Sequence, residues 1–220
     1  MPKPTFFRLA EPKRKRLIKA AYDEFSRASF QDASISNIIK DAGIPRGSFY
    51  QYFEDKSDIF FYLLDRTRTQ TEDLYKQVMQ AHDGDLFGMA ADFFDKAVEK
   101  LLKGPHREFY ANVFLYMDFH NAAHFSSMPK KTAPAQPHKK VFLDYTLDHL
   151  DRSKLKVKSD EDVAMLFRQV MWVFMQSIGY YYSRRKNGEN VTTTALKARM
   201  AKMLDWLQYG VAIAEEEVHD

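Results

Sequence analysis

Cysteine is absent from the 220 residues. That removes disulfide frameworks, thiolate metal sites, iron–sulfur clusters and cysteine nucleophiles together, and with them thiol-based redox sensing. Glycine and proline are sparse, eight of each, so the chain reads as neither loop-rich nor disordered. No apolar run approaches the roughly 20 residues that a membrane helix needs. The longest, 59–64 and 170–175, are six residues each. The first residues, Met-Pro-Lys-Pro-Thr-Phe-Phe-Arg, have no apolar core followed by a small-residue cleavage site, so no secretory signal is expected. Gly-rich phosphate loops, nucleophile elbows and paired metal motifs are also missing, and neither catalysis nor a cofactor is expected. What remains is a soluble, compact, cytoplasmic protein whose 45% hydrophobic content suffices for a real core.

Charge is present but unevenly spread. Residues 1–56 hold eleven Lys or Arg against seven Asp or Glu, a net of +4, and Lys13 to Arg16 form a basic run. The other 164 residues carry 22 basic and 23 acidic groups, a net of −1. A basic segment on a near-neutral body fits a polyanionic partner, although a solvated helix start explains the charge alone equally well.

The apolar spacing is helical throughout, and the expected class is all-α with about nine helices. Pro12 suits a first turn, and Leu17, Ile18, Ala21, Tyr22 and Phe25 form one stripe. Ser34 is placed to N-cap a short helix carrying Ile35, Ile38, Ile39 and Ala42, which Gly43 would end. Ile44 is expected as a buried plug, Pro45 opens the next helix, and Phe49 and Phe53 share its inner face. Asp55 would cap a helix over 56–82. Further helices are expected at 85–103, 106–126, 138–150, 160–185 and 193–218, with the proline-rich stretch 127–137 as a loop.

Two short helices joined by a glycine-containing turn make a helix-turn-helix, whose second member must bury one face and offer the other to a major groove. With Phe49 and Phe53 turned inward, Arg46, Gly47, Ser48, Tyr50, Gln51 and Tyr52 are left to supply a guanidinium, hydroxyls and an amide. Such groups read base edges and grip phosphates.

The run from Ser34 to Lys56, centred on Gly43-Ile44-Pro45-Arg46-Gly47-Ser48-Phe49-Tyr50-Gln51-Tyr52-Phe53, closely resembles the signature of TetR-family transcriptional regulators over about residues 12–65. The resemblance implies phosphate contacts from Ser34, Tyr50, Tyr52 and Lys56, and base or groove contacts from Ser36, Arg46, Gly47, Ser48 and Gln51. Pro45 departs from it, since many members carry serine there, and a phosphate contact from that hydroxyl is lost. A helix-turn-helix domain over 1–55 and a ligand-binding and dimerisation domain over 56–220 are expected. Residues 1–10, with Lys3 and Arg8, suggest an arm that adds phosphate or minor-groove contacts or is simply mobile.

The rest of the chain offers two further readings. Stripes containing Val170 and Phe174, then Leu196, Met200, Met203, Leu207 and Val211, either face their own core or, as the resemblance implies, pair with a second copy. Met171, Trp172, Trp206 and Tyr209 lie off those stripes, which suggests a second buried face. Phe93, Phe94, Tyr110, Phe114, Met117, Trp172 and Met175 form either core or the wall of an apolar effector cavity, and the resemblance favours the cavity. His120 and His124, four apart, have the spacing of a metal pair with Asp118 or His149, but exposed histidines near a helix end are the plainer reading, and no metal is assigned.

The expectation is therefore a repressor binding a palindromic operator in double-stranded DNA as a homodimer, released by an apolar or amphipathic small molecule and needing no membrane. The alternative is a dimeric helical small-molecule- or partner-binding protein with a vestigial DNA-binding end.

Overall fold

A computed structural model describes residues 2–116 and 141–212, and every regular element among them is helical. In order these are α1 (Pro4–Phe7), α2 (Glu11–Arg27), α3 (Ile35–Ala42), α4 (Arg46–Tyr52), α5 (Lys56–Ala81), α6 (Leu86–Lys103), α7 (Arg107–Tyr116), α8 (Val141–His149), α9 (Asp160–Lys186) and α10 (Thr193–Tyr209), with a 3₁₀ turn at Arg152–Lys154. The all-α expectation holds, and α1 is the helix that the sequence pattern did not supply. The expected loop 127–137 lies outside the described residues. The last helix closes at Tyr209, capped by Gly210, rather than running to Val218.

The chain divides into two compact units, Met1–Leu74 with Glu99–Val141 and Tyr75–Val98 with Phe142–Asp220. Helices α5 and α6 each contribute residues to both.

The first unit is built from the expected signals. Pro12 sits in the first turn of α2, and ion pairs Lys15–Glu11 (2.7 Å) and Lys19–Asp23 (2.6 Å) line its outer face. Leu17, Ala21 and Phe25 are buried on the inner one. Ser34 Oγ accepts the Ser36 N–H at 3.2 Å to open α3, and Gly43 ends it at φ 64°, a left-handed conformation that glycine adopts without a Cβ penalty. Ile44 is half-buried rather than fully enclosed. Asp55 accepts the Asp58 N–H at 2.8 Å while Asp58 accepts the Glu54 N–H at 3.0 Å, a reciprocal cap that starts α5. The core joins Phe6, Leu17, Phe25, Ile38, Phe49, Phe53, Ile59, Leu63 and Phe109. Asn112 on α7 donates to the carbonyls of Phe25 (3.0 Å) and Ser26 (2.9 Å), which satisfies the otherwise open C-terminus of α2.

In the second unit, Ser159 and Asp162 form a capping box on α9, and Thr192 caps α10 by accepting the Ala195 N–H at 3.1 Å. Val163, Val170, Phe174 and Ile178 of α9 are buried with Leu196, Met200 and Leu204 of α10. An ion pair of 2.7 Å from Lys197 to Asp95 ties α10 to α6. Tyr75 is fully enclosed and hydrogen-bonds Thr146. Because Thr146 gives its own proton to the Phe142 carbonyl at 2.7 Å, the Tyr75 hydroxyl must be the donor. Burial pushes that phenol well above its ordinary pKa. Gly84 admits no side chain: a Cβ there would lie 2.5 Å from the His149 carbonyl oxygen, and Gly84 O accepts the Asp151 N–H at 3.0 Å.

Candidate nucleic-acid interface

Helix α4 is only seven residues long, too short to be stable alone, so its neighbours must hold it. Phe49 and Phe53 are both buried and anchor its inner face. Its C-terminal carbonyls are taken up by α1: Lys3 N–H donates to Tyr52 O at 2.8 Å, Lys3 Nζ to Tyr50 O at 2.8 Å, and Thr5 Oγ1 to Gln51 O. Phe6, fully buried against Phe53 at 5.0 Å and Tyr62 at 5.2 Å, fixes α1 itself. Within the expected basic arm at 1–10, Lys3 to Phe7 therefore form a structured brace, and Lys3 caps α4 instead of reaching outward.

With the inner face and the end secured, Arg46, Gly47, Tyr50 and Gln51 remain exposed, with Ser48 half-buried beside them. Tyr52 is half-buried and packs on the core, so its ring helps hold the helix. Ser36 is exposed at the start of α3. Ser34 is half-buried, with its oxygen already engaged as the cap. Lys56 is also engaged: Nζ donates to Gln31 O (2.8 Å) and Ala33 O (2.9 Å) and lies 5.0 Å from the centre of the Phe30 ring. It clamps the α2–α3 connection, and one ammonium proton is left over for a further acceptor.

Sequence reasoning missed Glu24. Its side chain is 1% exposed, and Oε1 accepts the Ser34 N–H at 2.7 Å and Asn37 Nδ2 at 3.0 Å, while Oε2 meets Arg27. Burial works to raise its pKa, but the bonds from Ser34, Asn37 and Arg27 outweigh it and hold the carboxyl below its ordinary value. The group sets where α3 begins. Its signal was an acid three residues past Ala21, on the apolar face of α2.

The residues expected to line an effector cavity fall in both units. Tyr110 donates to Thr67 at 2.7 Å, and Phe114 packs on the first core. Phe93 and Phe94 are buried in the second unit against Tyr75 (5.2 Å) and Phe174 (4.9 Å). Met175 is half-buried and Trp172 is exposed. Met117, Asp118, His120 and His124 lie outside the described residues.

The expected dimer stripe needs correcting. Val170, Phe174, Leu196 and Met200 are buried within the chain's own fold and are unavailable to a second chain. Met203 and Leu207 are half-buried, and Val211 lies beyond the end of α10, exposed. The outward apolar side chains are those off the stripe: Met165, Trp172, Trp206 and Tyr209. A helix with two apolar faces turns only one of them inward.

Residues 17–63 match the family described as bacterial regulatory proteins, tetR family, and residues 85–211 match the Tetracyclin repressor-like C-terminal domain. The HTH-type transcriptional regulator YdgC of Bacillus subtilis is 49% identical over 65 residues, which are 28% of this chain and 33% of that protein. The chain spans about a third of the length of the curated relatives it matches. A TetR family regulator from Chloroflexus aurantiacus is similar in fold, with a TM-score of 0.52 and 24% identity over 96% of this chain and 98% of that one. FadR from Bacillus subtilis, solved in complex with stearoyl-CoA, gives a TM-score of 0.56 at 18% identity, covering 90% of this chain and 99% of that one.

Proposed function

Since the chain belongs to the TetR family of transcriptional regulators, we propose that it is a homodimeric cytoplasmic repressor of a palindromic operator, released by an apolar or amphipathic small molecule. The observation that carries the DNA-binding part is α4: a braced, capped helix whose Arg46, Gly47, Tyr50 and Gln51 are the groups left facing out. Arg46 suits bidentate contact to a guanine, Gln51 a base or phosphate, and Gly47 close backbone approach. Tyr50, Ser36, Ser48 and the spare proton of Lys56 suit phosphate oxygens or the groove wall, while Ser34 and Tyr52 act mainly by placing α3 and α4.

We assign DNA binding to residues 1–55 and effector binding and dimerisation to 56–220. The compact units divide elsewhere, since α5 to Leu74 and α7 belong to the first unit. One recognition helix reads few base pairs, and two half-sites about 34–36 Å apart need two chains. The exposed Met165, Trp172, Trp206 and Tyr209 along α9 and α10 offer the second copy an apolar face. For the effector, the stearoyl-CoA held by the Bacillus subtilis protein of similar fold makes long-chain acyl compounds the first class to try. A coupling of about 1–3 kcal/mol changes operator affinity 5- to 150-fold, enough to release the promoter.

The test is a mobility shift on palindromic fragments upstream of the gene, at low and rising salt. Retarded bands are expected, with affinity falling as salt rises. Arg46→Ala should relax preference at one position by about 1–3 kcal/mol, whereas Tyr50→Phe should weaken binding to all sequences alike. Absence of any shift at low salt would leave the DNA-binding end vestigial.

A further inference from the structure

His106 directly precedes α7 and opens its first turn, where its carbonyl accepts the Tyr110 N–H at 3.1 Å. Its ring lies on Tyr22 of α2, nearly parallel at 7°, with ring centres 3.7 Å apart. Tyr22 is held in turn: the Phe109 ring meets it edge-on at 5.2 Å, and its hydroxyl donates to the Leu63 carbonyl of α5 at 3.4 Å. Further along α7, Asn112 donates to the Phe25 and Ser26 carbonyls at 3.0 and 2.9 Å. Helix α7 is thus fastened to α2 by one group that titrates and one that does not. The stretch of α2 between the two fastenings carries Glu24, which fixes the Ser34 N–H and Asn37 at the start of α3. The mount of the helix-turn-helix is therefore the part of α2 that α7 grips.

The surroundings of His106 favour a neutral ring. It is half-buried, and burial is the largest influence against a proton, followed by the charge of Arg66 on α5. The positive end of α7 acts in the same direction. Asp23 on α2 acts the other way, but its carboxylate is already paired with Lys19 at 2.6 Å. Of the charges that flank His106 in the chain, Lys103 is met by Glu99 at 2.6 Å and Arg107 by Glu108 at 3.0 Å. Burial pushes the phenols of Tyr22 and Tyr110 up, so both stay neutral. An imidazolium in the stacked position would face Arg66 and the helix end with its nearest acid already engaged.

We propose that His106 is an acid-sensitive latch: protonation of its ring frees α7 from α2 and lowers operator affinity, an inference that rests on the DNA-binding reading of α4. The neutral ring fits the stack, whereas the charged ring is better solvated outside it, so protons shift the population towards the released joint. The released ring binds the proton more tightly than the stacked one. Affinity is therefore full above the ordinary 6.5, falls as pH drops below that value and levels off beneath the lowered pKa of the stacked ring. With the latch open, Asn112 alone holds the joint, and the mount of α3 and α4 loosens.

Two measurements on the full-length protein test this, one of them without DNA. With isotope-labelled histidine, the His106 ring resonance is assigned by its loss in His106→Phe. At about pH 8 it should lie upfield because of the Tyr22 ring current, and it should move to the position of a free imidazolium on acidification. Its midpoint should fall below 6.5. A resonance that titrates yet keeps its upfield offset would overturn the proposal, because a cation–π contact would then hold the latch closed. In operator titrations between about pH 8 and 5.5, the affinity of the unaltered protein should fall severalfold more than that of His106→Phe or His106→Gln, whose replacement side chains do not titrate. Asn112→Ala removes the other fastening, and should lower affinity already at the alkaline end while keeping the pH dependence. Parallel pH curves for the unaltered protein and both His106 variants would overturn the proposal. Absence of operator binding at the alkaline end would instead refute the DNA-binding reading and with it the effect on affinity, and the resonance would then decide the latch itself.

Discussion

Glu24 places a testable weight on a single carboxylate. Replacing it by alanine removes the acceptor of the Ser34 N–H and of Asn37 Nδ2 and frees Arg27. A hydrogen bond to a charged group contributes about 1.5–3 kcal/mol, and a donor left dry carries a penalty of about 1–3 kcal/mol. The Arg27 side chain is 59% exposed and can turn to water, so its share is at most about 1 kcal/mol. Glu24→Ala should therefore destabilise the fold by about 3 kcal/mol. Glu24→Gln is the sharper probe: its amide oxygen can still accept from Ser34 and Asn37, and only the side facing Arg27 turns from acceptor to donor. We expect about 1 kcal/mol for that change. Urea unfolding followed by circular dichroism measures both. The charge also gives a pH signature. With the folded carboxyl below its ordinary value of 4.5, the stability it adds is present above that value and lost as pH falls through the lowered one. Glu24→Gln should lack that slope. If the two variants lose equal stability, or if alanine loses none, the hydrogen-bonding account of Glu24 is wrong.

Phe6→Ala should cost about 3–5 kcal/mol and weaken DNA binding, because α1 caps α4, whereas Phe7→Ala, at a residue 55% exposed, should stay within about 0.5 kcal/mol. Comparable losses at the two positions, read by thermal melting, would remove α1 as a brace. His106 stacks on Tyr22 with ring centres 3.7 Å apart, and burial, helped by the charge of Arg66, lowers its pKa from the ordinary 6.5. The unfolded chain then takes up the proton first, so stability should fall as pH drops below about 6.5 and level off beneath the folded pKa, a slope that His106→Phe abolishes. Trp172→Glu should leave the fold intact and shift the protein towards monomer in sedimentation; an unchanged mass would move the interface elsewhere.

The helix-turn-helix was legible because its signals are local. Ser34, Gly43 and Asp55 each act within a turn or two of themselves, the four-residue spacing of Phe49 and Phe53 marks one inner face, and each sits as expected. What was missed depends on distant partners. Lys3 and Thr5 serve carbonyls 47 and 46 residues away, and Glu24 serves an amide ten residues on; no spacing rule encodes such a meeting. The stripe through Val170, Phe174, Leu196 and Met200 suits either the chain's own core or, as the resemblance implies, a second copy, and its residues fill the core. Periodicity tells which face is covered, not by what, since core and interface carry the same apolar signature. The division into two compact units was hidden too, because α5 and α6 cross it in mid-helix without a change of composition.

The chain holds only two tryptophans. Trp172 and Trp206 are both exposed, on neighbouring helices of the second unit, and border the same shallow groove. Optically, then, the protein is labelled by its own sequence. Indole emission reports on the α9–α10 surface alone, while the first unit contributes only tyrosine. Covering that surface should shift the emission to the blue. With no thiol to compete, a single cysteine placed on α4 could carry a second dye and report on the first unit independently.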